Sequence, residues 1–219
     1  MGTARQLRLV MQTAMRDGPG PLRLARRAIR DFAALQRTWE LQSLVGEVRR
    51  LAPRVVVEIG THRGGTLVCW AAVAAPAAHL VSIDMATDEG IELGARDEDL
   101  ARVRRRLQPA QTLTTIRGNS HDASTLARLT EALGGAPVDF LWIDGDHSYD
   151  GVKLDFEMYR SLVRGGGVIA FHDVRASDFW PSYGSPAFWE EIRTRYRSHE
   201  YVAQTRRGAG MGIGVLRLS

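Results

Sequence analysis

The sequence predicts an α/β fold: a doubly wound, mostly parallel sheet that finishes with one antiparallel strand. From Arg54 onward, short and continuously apolar segments alternate with segments of helical periodicity. Strands that are apolar throughout are buried on both faces, as in a parallel sheet covered by helices. Near the C-terminus two strand-like segments are separated only by Thr205 to Gly208, so a hairpin is expected there.

The predicted elements follow one another in a regular order. The strands of the parallel part are residues 55–59, 80–83, 113–116, 138–143 and 168–171. The helices between them are residues 66–75, 97–107, 122–133 and 150–163. The hairpin strands are residues 201–204 and 211–218. Crossovers between parallel strands should be right-handed.

Residues 1–53 are predicted to form a helical N-terminal extension, and residues 54–219 the main domain. The alternation of glycine and proline from Gly18 to Pro21 cannot continue a helix, so it separates a first helix from a second. Apolar residues then recur at helical spacing over residues 22–35 and 39–51. Because these helices are too apolar for a free tail, we expect them to cover the cleft or to form a homodimer contact.

Composition excludes several classes of protein. A chain of 219 residues that is 44% hydrophobic and 25% charged is neither disordered nor collagen-like, and one cysteine cannot form an internal disulfide. No apolar run reaches the roughly 18 residues of a membrane helix, and no secretory signal is recognisable. A cytoplasmic protein without a membrane span is therefore expected.

The net charge is +4, and nearly all of the positive charge is arginine, since Lys153 is the only lysine. A basic N-terminal segment could bind an anionic surface, or it could simply be a solvated helix face. The aromatic residues lie in an arginine-poor loop, which argues against a nucleic-acid-binding module.

Ligands of open α/β sheets bind at the carboxyl ends of the strands. Glu58 closes the first strand and is followed by Gly60, Gly64 and Gly65. Glycines allow a sharp turn and the close approach of a ligand, and the helix that follows offers free N–H groups. The spacing is not that of a dinucleotide fingerprint, and a carboxylate at this turn suits a cationic ligand. The alternative is a tight turn without a ligand.

Polar residues follow the next two strands. Asp84 ends the second strand, at a separation from Gly60 typical of an acid that reaches ribose hydroxyls. Asn119 and Ser120 follow the third strand, where they could bond an adenine edge. Polar residues that cap the start of a helix would explain this sequence equally well.

Acids and histidine follow the fourth and fifth strands, which are commonly neighbours in such a sheet. Asp144 ends the fourth strand, and His172 and Asp173 end the fifth. A divalent ion would neutralise this cluster, and two carboxylates favour Mg²⁺ or Mn²⁺. A hydrogen-bonded carboxylate–histidine pair without metal is the alternative. Asp144-Gly145-Asp146 is also an acid-x-acid motif, as in glycosyltransferases that bind a nucleotide-sugar through Mn²⁺.

An aromatic segment follows the fifth strand and suits stacking on a sugar ring or another flat ligand. It could equally anchor the last helix or form a subunit contact. Its members are Phe179, Trp180, Tyr183, Phe188 and Trp189.

Residues 55–84 and 140–174 together resemble the class I S-adenosylmethionine-dependent methyltransferases. More narrowly, the glycine turn, the segment from Ile143 to Tyr149, and Gly165 to Gly167 with His172 and Asp173 resemble the small metal-dependent O-methyltransferases. These include enzymes acting on sugar hydroxyls and their catechol-type relatives. The resemblance implies a Rossmann-like sheet of seven strands with the last one antiparallel.

The resemblance also implies cofactors and roles. The cofactors would be S-adenosylmethionine and a divalent metal, Mg²⁺ first and Mn²⁺ second. The S-adenosylmethionine site would comprise Glu58, Gly60, Thr61, Gly64, Gly65, Asp84, Asn119, Ser120 and Asp144. The metal would be held by Asp144, His172 and Asp173, although the family usually has an acid in place of His172. His147, three residues after Asp144, would be the general base.

The expected reaction is methyl transfer to a sugar hydroxyl, for example of a mannoside or a glycosylated natural product. The acceptor would be a small molecule or an oligosaccharide. A catechol-like acceptor is the alternative within the same family, and a nucleotide-sugar glycosyltransferase is the alternative outside it.

Overall fold

The computed structural model describes residues 18–85, 94–177, 180–205, 208–209 and 211–219. The helices are α1 (Pro21–Phe32), α2 (Thr38–Leu51), α3 (Gly65–Val73), α4 (Asp97–Arg104), α5 (Ala123–Leu133), α6 (Tyr149–Tyr159) and α7 (Ser185–Ile192). The strands are β1 (Val55–Ile59), β2 (His79–Asp84), β3 (Thr112–Arg117), β4 (Val138–Ile143), β5 (Val163–His172), β6 (Arg197–Tyr201), β7 (Gln204–Thr205), β8 (Gly208–Ala209) and β9 (Ile213–Arg217). The helix expected before Gly18 lies outside the described residues.

Within the described residues the main sheet has seven strands in the order β3-β2-β1-β4-β5-β9-β6. Strands β1 to β5 pair in parallel, and β9 pairs antiparallel with both β5 and β6. The predicted fold class is therefore confirmed. Because the strand order reverses between β1 and β4, the carboxyl ends of these two strands flank the cleft in which such sheets bind ligands.

The bounds of the C-terminal hairpin differ from the prediction. Its first long strand, β6, ends at Tyr201 where the predicted strand was to begin, and a small ribbon of β7 and β8 comes before β9. The sequence of β6 is Arg-Ser-His-Glu-Tyr at a sheet edge, with no residue buried. A polar edge strand carries no apolar alternation, so its position could not be recognised from hydropathy.

Apolar side chains pack on both faces of the sheet. One layer joins α1, α2 and α3 to the sheet, and in it Trp70 meets Phe140 edge-on with 4.9 Å between ring centroids. The other layer is formed under α5, α6 and α7. The described part of the N-terminal extension thus contributes directly to the main core, through Leu24, Ala25, Ala28, Phe32, Leu41, Leu44, Val45 and Val48. No helix in the described ranges has the length and apolarity needed to cross a membrane.

Candidate active site

The glycine turn after β1 lies directly against the end of β4. Gly60 has a φ of 82°, and a Cβ atom there would lie 2.0 Å from the carbonyl oxygen of Asp144. Any side chain would therefore separate the two strand ends. Gly65 opens α3, and a Cβ there would lie 2.6 Å from the Cβ of Ala34. Gly64 lies between them, with a φ of 77°. The turn is thus closed on one side by β4 and on the other by the N-terminal extension.

Glu58 is a buried acid with one free oxygen. Its Oε2 accepts a hydrogen bond of 2.6 Å from the indole nitrogen of Trp70. Its Oε1 is buried and has no hydrogen-bond partner within the described residues. Burial raises the pKa of Glu58 to about 8. A cationic ligand at the glycine turn would satisfy this oxygen and would favour the ionised form of the acid.

Asp84 holds the glycine turn through backbone hydrogen bonds. Its Oδ2 accepts bonds from the backbone nitrogens of Thr61 at 2.9 Å, His62 at 2.8 Å and Ala95 at 3.1 Å. Its Oδ1 accepts one from Met85 at 2.8 Å. Burial raises the pKa of Asp84, although these donors oppose the shift. The structure brings Asp84 to the cleft as predicted, and its contact with ribose remains a prediction.

Asn119 and Ser120 lie in the turn after β3. The side chain of Asn119 is exposed, and its Oδ1 accepts a bond of 3.0 Å from the backbone nitrogen of His121. The carbonyl of Ser120 accepts a bond of 2.7 Å from the hydroxyl of Tyr159. The backbone of the neighbouring Gly118 bonds the carbonyl of Asp84 at 2.9 Å. The turn therefore adjoins the end of β2, where an adenine was predicted.

Two acids and a histidine meet at the ends of β4 and β5. The Nδ1 of His172 lies 3.2 Å from Oδ1 of Asp144 and 3.0 Å from Oδ1 of Asp173. His172 is buried. Burial by itself lowers the pKa of His172, but the charges of Asp144 and Asp173 outweigh it and hold that pKa well above its ordinary value. The predicted cluster therefore forms, with the histidine facing both carboxylates.

A second histidine joins the same acids. Asp144, His147 and Asp173 each offer one potential metal-binding atom, and these atoms lie within 4.8 Å of one another. Oδ1 of Asp173 is buried beside Nδ1 of His172, and Asp173 has a φ of 56°. A left-handed backbone at a non-glycine residue is characteristic of functional sites. The group that could hold a metal thus contains His147, whereas the sequence predicts His172 in that place.

His147 is also part of a stack of rings. Its ring lies 4.4 Å from the ring of Tyr183 at 22°, and Tyr183 lies 5.6 Å from Trp180 at 12°. Trp180 is 52% exposed. Phe188 and Trp189, from the same aromatic segment, are buried in the core instead. Phe179 lies outside the described residues.

Asp146, the second acid of the acid-x-acid motif, serves the chain itself. Its Oδ1 accepts a bond of 2.7 Å from the backbone nitrogen of Ser148, and the hydroxyl of Ser148 caps α6 at Gly151. The motif is therefore explained by the start of a helix.

The structure adds two residues to those predicted for the site. Gln36, between α1 and α2, donates from Nε2 to Oδ2 of Asp144 at 2.8 Å. Asp155, on α6, is buried beside His121, with 3.3 Å between its Oδ1 and Nε2 of the histidine. Gln36 belongs to no motif and contacts a residue far along the chain, so no signal in the sequence could have found it.

Solved structures similar to this chain are methyltransferases. The O-methyltransferase TomG from Streptomyces achromogenes, in complex with SAM, is 19% identical, with 92% of this chain and 91% of that chain covered and a TM-score of 0.59. The O-methyltransferase from Bacillus cereus, in complex with SAH, is 18% identical, with 95% and 97% covered and a TM-score of 0.58. The MycE methyltransferase from the mycinamycin biosynthetic pathway, in complex with Mg and SAH, is 16% identical, with 91% and 55% covered and a TM-score of 0.59. At these identities the likeness shows the fold.

The sequence of the chain is similar to one curated protein and matches one family model. The uncharacterized protein y4gI of Sinorhizobium fredii is 29% identical over 147 residues, which are 66% of this chain but only 16% of that protein. The chain thus matches only a small part of the length of this relative. The family model described as a methyltransferase domain matches residues 57–174, a stretch that runs from β1 through the glycine turn to the acids after β5. The chain therefore belongs to the methyltransferase-domain family.

Proposed function

We propose that the chain is an S-adenosylmethionine-dependent O-methyltransferase that works with a divalent metal ion. The observation that carries this proposal is the close contact between the glycine turn at Gly60 and the backbone of Asp144. A ligand held against the turn lies next to the carboxylates that could bind a metal. The methyl donor and the group that prepares the acceptor are thereby neighbours.

The residues of the turn fit this cofactor. S-adenosylmethionine carries an ammonium group and a sulfonium group, and the unpartnered Oε1 of Glu58 offers a buried negative partner. Bound S-adenosylmethionine supplies the methyl group for in-line transfer to an acceptor oxygen. In the proposal, Gly60, Thr61, Gly64 and Gly65 surround its methionine part. Asp84, Asn119, Ser120 and Asp144 complete its site.

The acid cluster fits a divalent ion such as Mg²⁺ or Mn²⁺. Asp144 and Asp173 would hold it, with an imidazole from His147 or His172 as a further ligand. A bound ion lowers the pKa of an acceptor hydroxyl and fixes its direction. His172, facing both carboxylates from a buried position, holds them in place. If His172 completes the metal site, His147 is free to remove the proton of the acceptor.

The acceptor in this proposal is a carbohydrate hydroxyl, on a mannoside or on a glycosylated natural product. Trp180 and Tyr183 present stacked rings beside His147, and such a face suits a sugar ring. TomG is involved in tomaymycin synthesis and MycE belongs to the mycinamycin biosynthetic pathway, which supports a natural-product acceptor. A catechol-like acceptor would also stack on these rings.

We also propose a homodimer formed through the N-terminal extension, which sedimentation equilibrium tests directly.

Two measurements test the proposal in sequence. Calorimetric titration with S-adenosylhomocysteine should show binding, and its absence at millimolar ligand would remove the cofactor assignment. Transfer of labelled methyl groups from S-adenosylmethionine is then measured on mannosides, glycosylated natural products and catechols. Turnover on catechols with none on any sugar would exclude a carbohydrate as the acceptor and would still support an O-methyltransferase.

A further inference from the structure

Helix α1 presents a stripe of arginines on its outer side. Its inner side is apolar and packs in the core of the protein. The outer side carries four exposed or half-exposed residues, Arg23, Arg26, Arg27 and Arg30. Their spacing of three and four residues places them on one face of the helix, over a length of about 10 Å. Because the inner side is packed, this stripe has a fixed direction at the surface.

The stripe carries more positive than negative charge. Among the described residues, its only ion pair joins Arg30 to Asp31, with 2.6 Å between Nε and Oδ1. The hydrogen bond from Arg30 lowers the pKa of Asp31, and the charges of Arg27 and Arg106 act in the same direction. One acid is thus shared by arginines of α1 and of the segment that follows α4, and the surface around it stays positive.

Helix α4 extends this positive surface. Its acids lie in its first turn, whereas its other end carries Arg102 and is followed by Arg105 and Arg106. Arg102 lies over the ring of Phe32, 4.6 Å from its centre, and donates a hydrogen bond to the carbonyl of Asp31. These five residues line a hollow of about 340 Å³. The name arginine face is used for the continuous surface formed by Arg23, Arg26, Arg27, Arg30, Arg102, Arg105 and Arg106.

The charge of the chain is concentrated towards its N-terminus. Residues 1–37 contain eight arginines and two acids, which gives them a net charge of +6. The whole chain has a net charge of +4, so residues 38–219 together carry −2. A charge distribution this uneven turns the positive side of a protein towards an anionic partner as the two approach.

Two features favour a lipid surface as this partner. Leu22, directly before the stripe, is 42% exposed, and Leu35, after α1, is 74% exposed. Aliphatic side chains beside arginines suit the boundary between lipid headgroups and acyl chains, where guanidinium groups pair with phosphates. Binding of single-stranded nucleic acid instead uses aromatic rings on which bases stack, and Phe32 is buried beneath Arg102.

We propose that the arginine face docks on membranes that contain anionic phospholipids. The arginines pair with lipid phosphates, and the hollow between Phe32 and Arg106 receives one headgroup. Leu22 and Leu35 enter the interface between headgroups and acyl chains. A surface of like charges repels its own copy, so docking leaves the rest of the N-terminal extension available for the proposed homodimer. The contact does not depend on which reaction the active site catalyses.

The test is cosedimentation of the full chain with lipid vesicles. Vesicles of phosphatidylcholine alone are compared with vesicles of equal parts of phosphatidylglycerol and phosphatidylcholine, at low and at high salt. Wild type should bind the anionic vesicles and not the neutral ones. Binding should weaken as the salt concentration rises, because salt screens contacts between exposed charges. The triple variant Arg23→Gln, Arg26→Gln, Arg27→Gln should bind about a hundredfold more weakly, at about fivefold for each arginine.

A matched control removes the same charge from the opposite layer of the protein. Its three exposed arginines lie on α5, after α6 and after α7, and the variant is Arg128→Gln, Arg160→Gln, Arg195→Gln. The control should bind within about twofold of wild type, because these charges lie far from the docked surface. Leu22→Gln, which leaves every charge in place, should weaken binding several-fold with the same salt dependence.

Thermal unfolding of each variant shows that it is folded. If the triple variant is not, Arg26→Gln alone replaces it, with an expected loss of about fivefold. Absence of binding to anionic vesicles at low salt would overturn the proposal. So would equal weakening in the matched control, because net charge and not the arginine face would then decide binding. Tighter binding to duplex DNA or to polyglutamate than to the vesicles would also overturn it, in favour of a nucleic acid or an acidic protein.

Discussion

Nδ1 of His147 lies 3.4 Å from Oδ2 of Asp173, so the acid after β5 faces the histidine after β4. A neutral imidazole that points its Nδ1 proton at a carboxylate presents Nε2 as a proton acceptor. The ring of Tyr183, stacked 4.4 Å away, restricts the plane of the imidazole. General bases of other catalytic pairs are oriented by the same kind of contact.

We predict that His147→Ala lowers kcat by roughly 10²–10⁴, the usual contribution of a general base. The acidic limb of the pH–rate profile should disappear in this variant, because that limb reports protonation of the base. The measurement is kcat against pH for wild type and variant at saturating cofactor. Affinity for S-adenosylhomocysteine should be unchanged. A profile of unaltered shape would remove His147 from proton transfer.

Measurements of metal affinity can show whether His147 or His172 is a metal ligand. Asp173→Asn should weaken Mn²⁺ binding by about a hundredfold or more, because a carboxylate of the proposed metal site is lost. His172→Gln and His147→Gln are compared by the same calorimetric titration, and the variant that loses more affinity identifies the ligand. Glu131→Gln, which removes one exposed charge from α5, is the matched control and should bind Mn²⁺ as wild type does. Undiminished turnover after exhaustive chelation would exclude a catalytic metal.

The buried Glu58 predicts proton release on cofactor binding. Burial raises its pKa to about 8, so at pH 7 the free protein holds mainly the protonated acid. An ammonium or sulfonium group nearby favours the carboxylate, so binding should expel a proton and strengthen as the pH rises towards 8. Calorimetry of S-adenosylhomocysteine binding in two buffers of different ionisation enthalpy counts the released protons. Glu58→Gln should bind with no release and little pH dependence, and equal release in both proteins would assign the proton to another group.

Local sequence predicted the parts of the site that belong to strand ends. The ends of the apolar segments indicate where β1, β4 and β5 end. The sheet topology then brings Glu58, Asp144 and Asp173 into one cleft. Contacts between distant segments carry no such signal. Gln36 reaches Asp144 only because α1 and α2 pack on the sheet, and this packing depends on the whole core.

Helix α6 contains a further residue that periodicity could not reveal. Asp155 occupies a buried helical position, and apolar spacing would place a hydrophobic residue there. Both its carboxylate oxygens are buried, and Nε2 of His121 lies 3.3 Å from Oδ1. Burial raises the pKa of Asp155 to about 6, although the hydroxyl of Ser120 and the charge of His121 oppose the shift. Ionisation of this acid therefore acts against the folded state at neutral pH.

The free energy of unfolding should consequently depend on pH through Asp155. A raised pKa means that the folded protein holds this proton more tightly than the unfolded chain does. The resulting stability is fully present below about pH 4, the ordinary pKa of an aspartate, and is lost as the pH rises through about 6. Asp155→Asn, which cannot ionise, should be more stable than wild type at pH 7.5, by up to about 3 kcal/mol at about 1.4 kcal/mol for each unit of pKa. The difference should shrink towards zero near pH 4.

Urea denaturation at both pH values measures this difference in the free energy of unfolding. Asp150→Asn, which changes an exposed acid of the same helix, is the control. An Asp155→Asn variant that is equally destabilised at both pH values would show that the charged acid is paired with His121 and supports the fold.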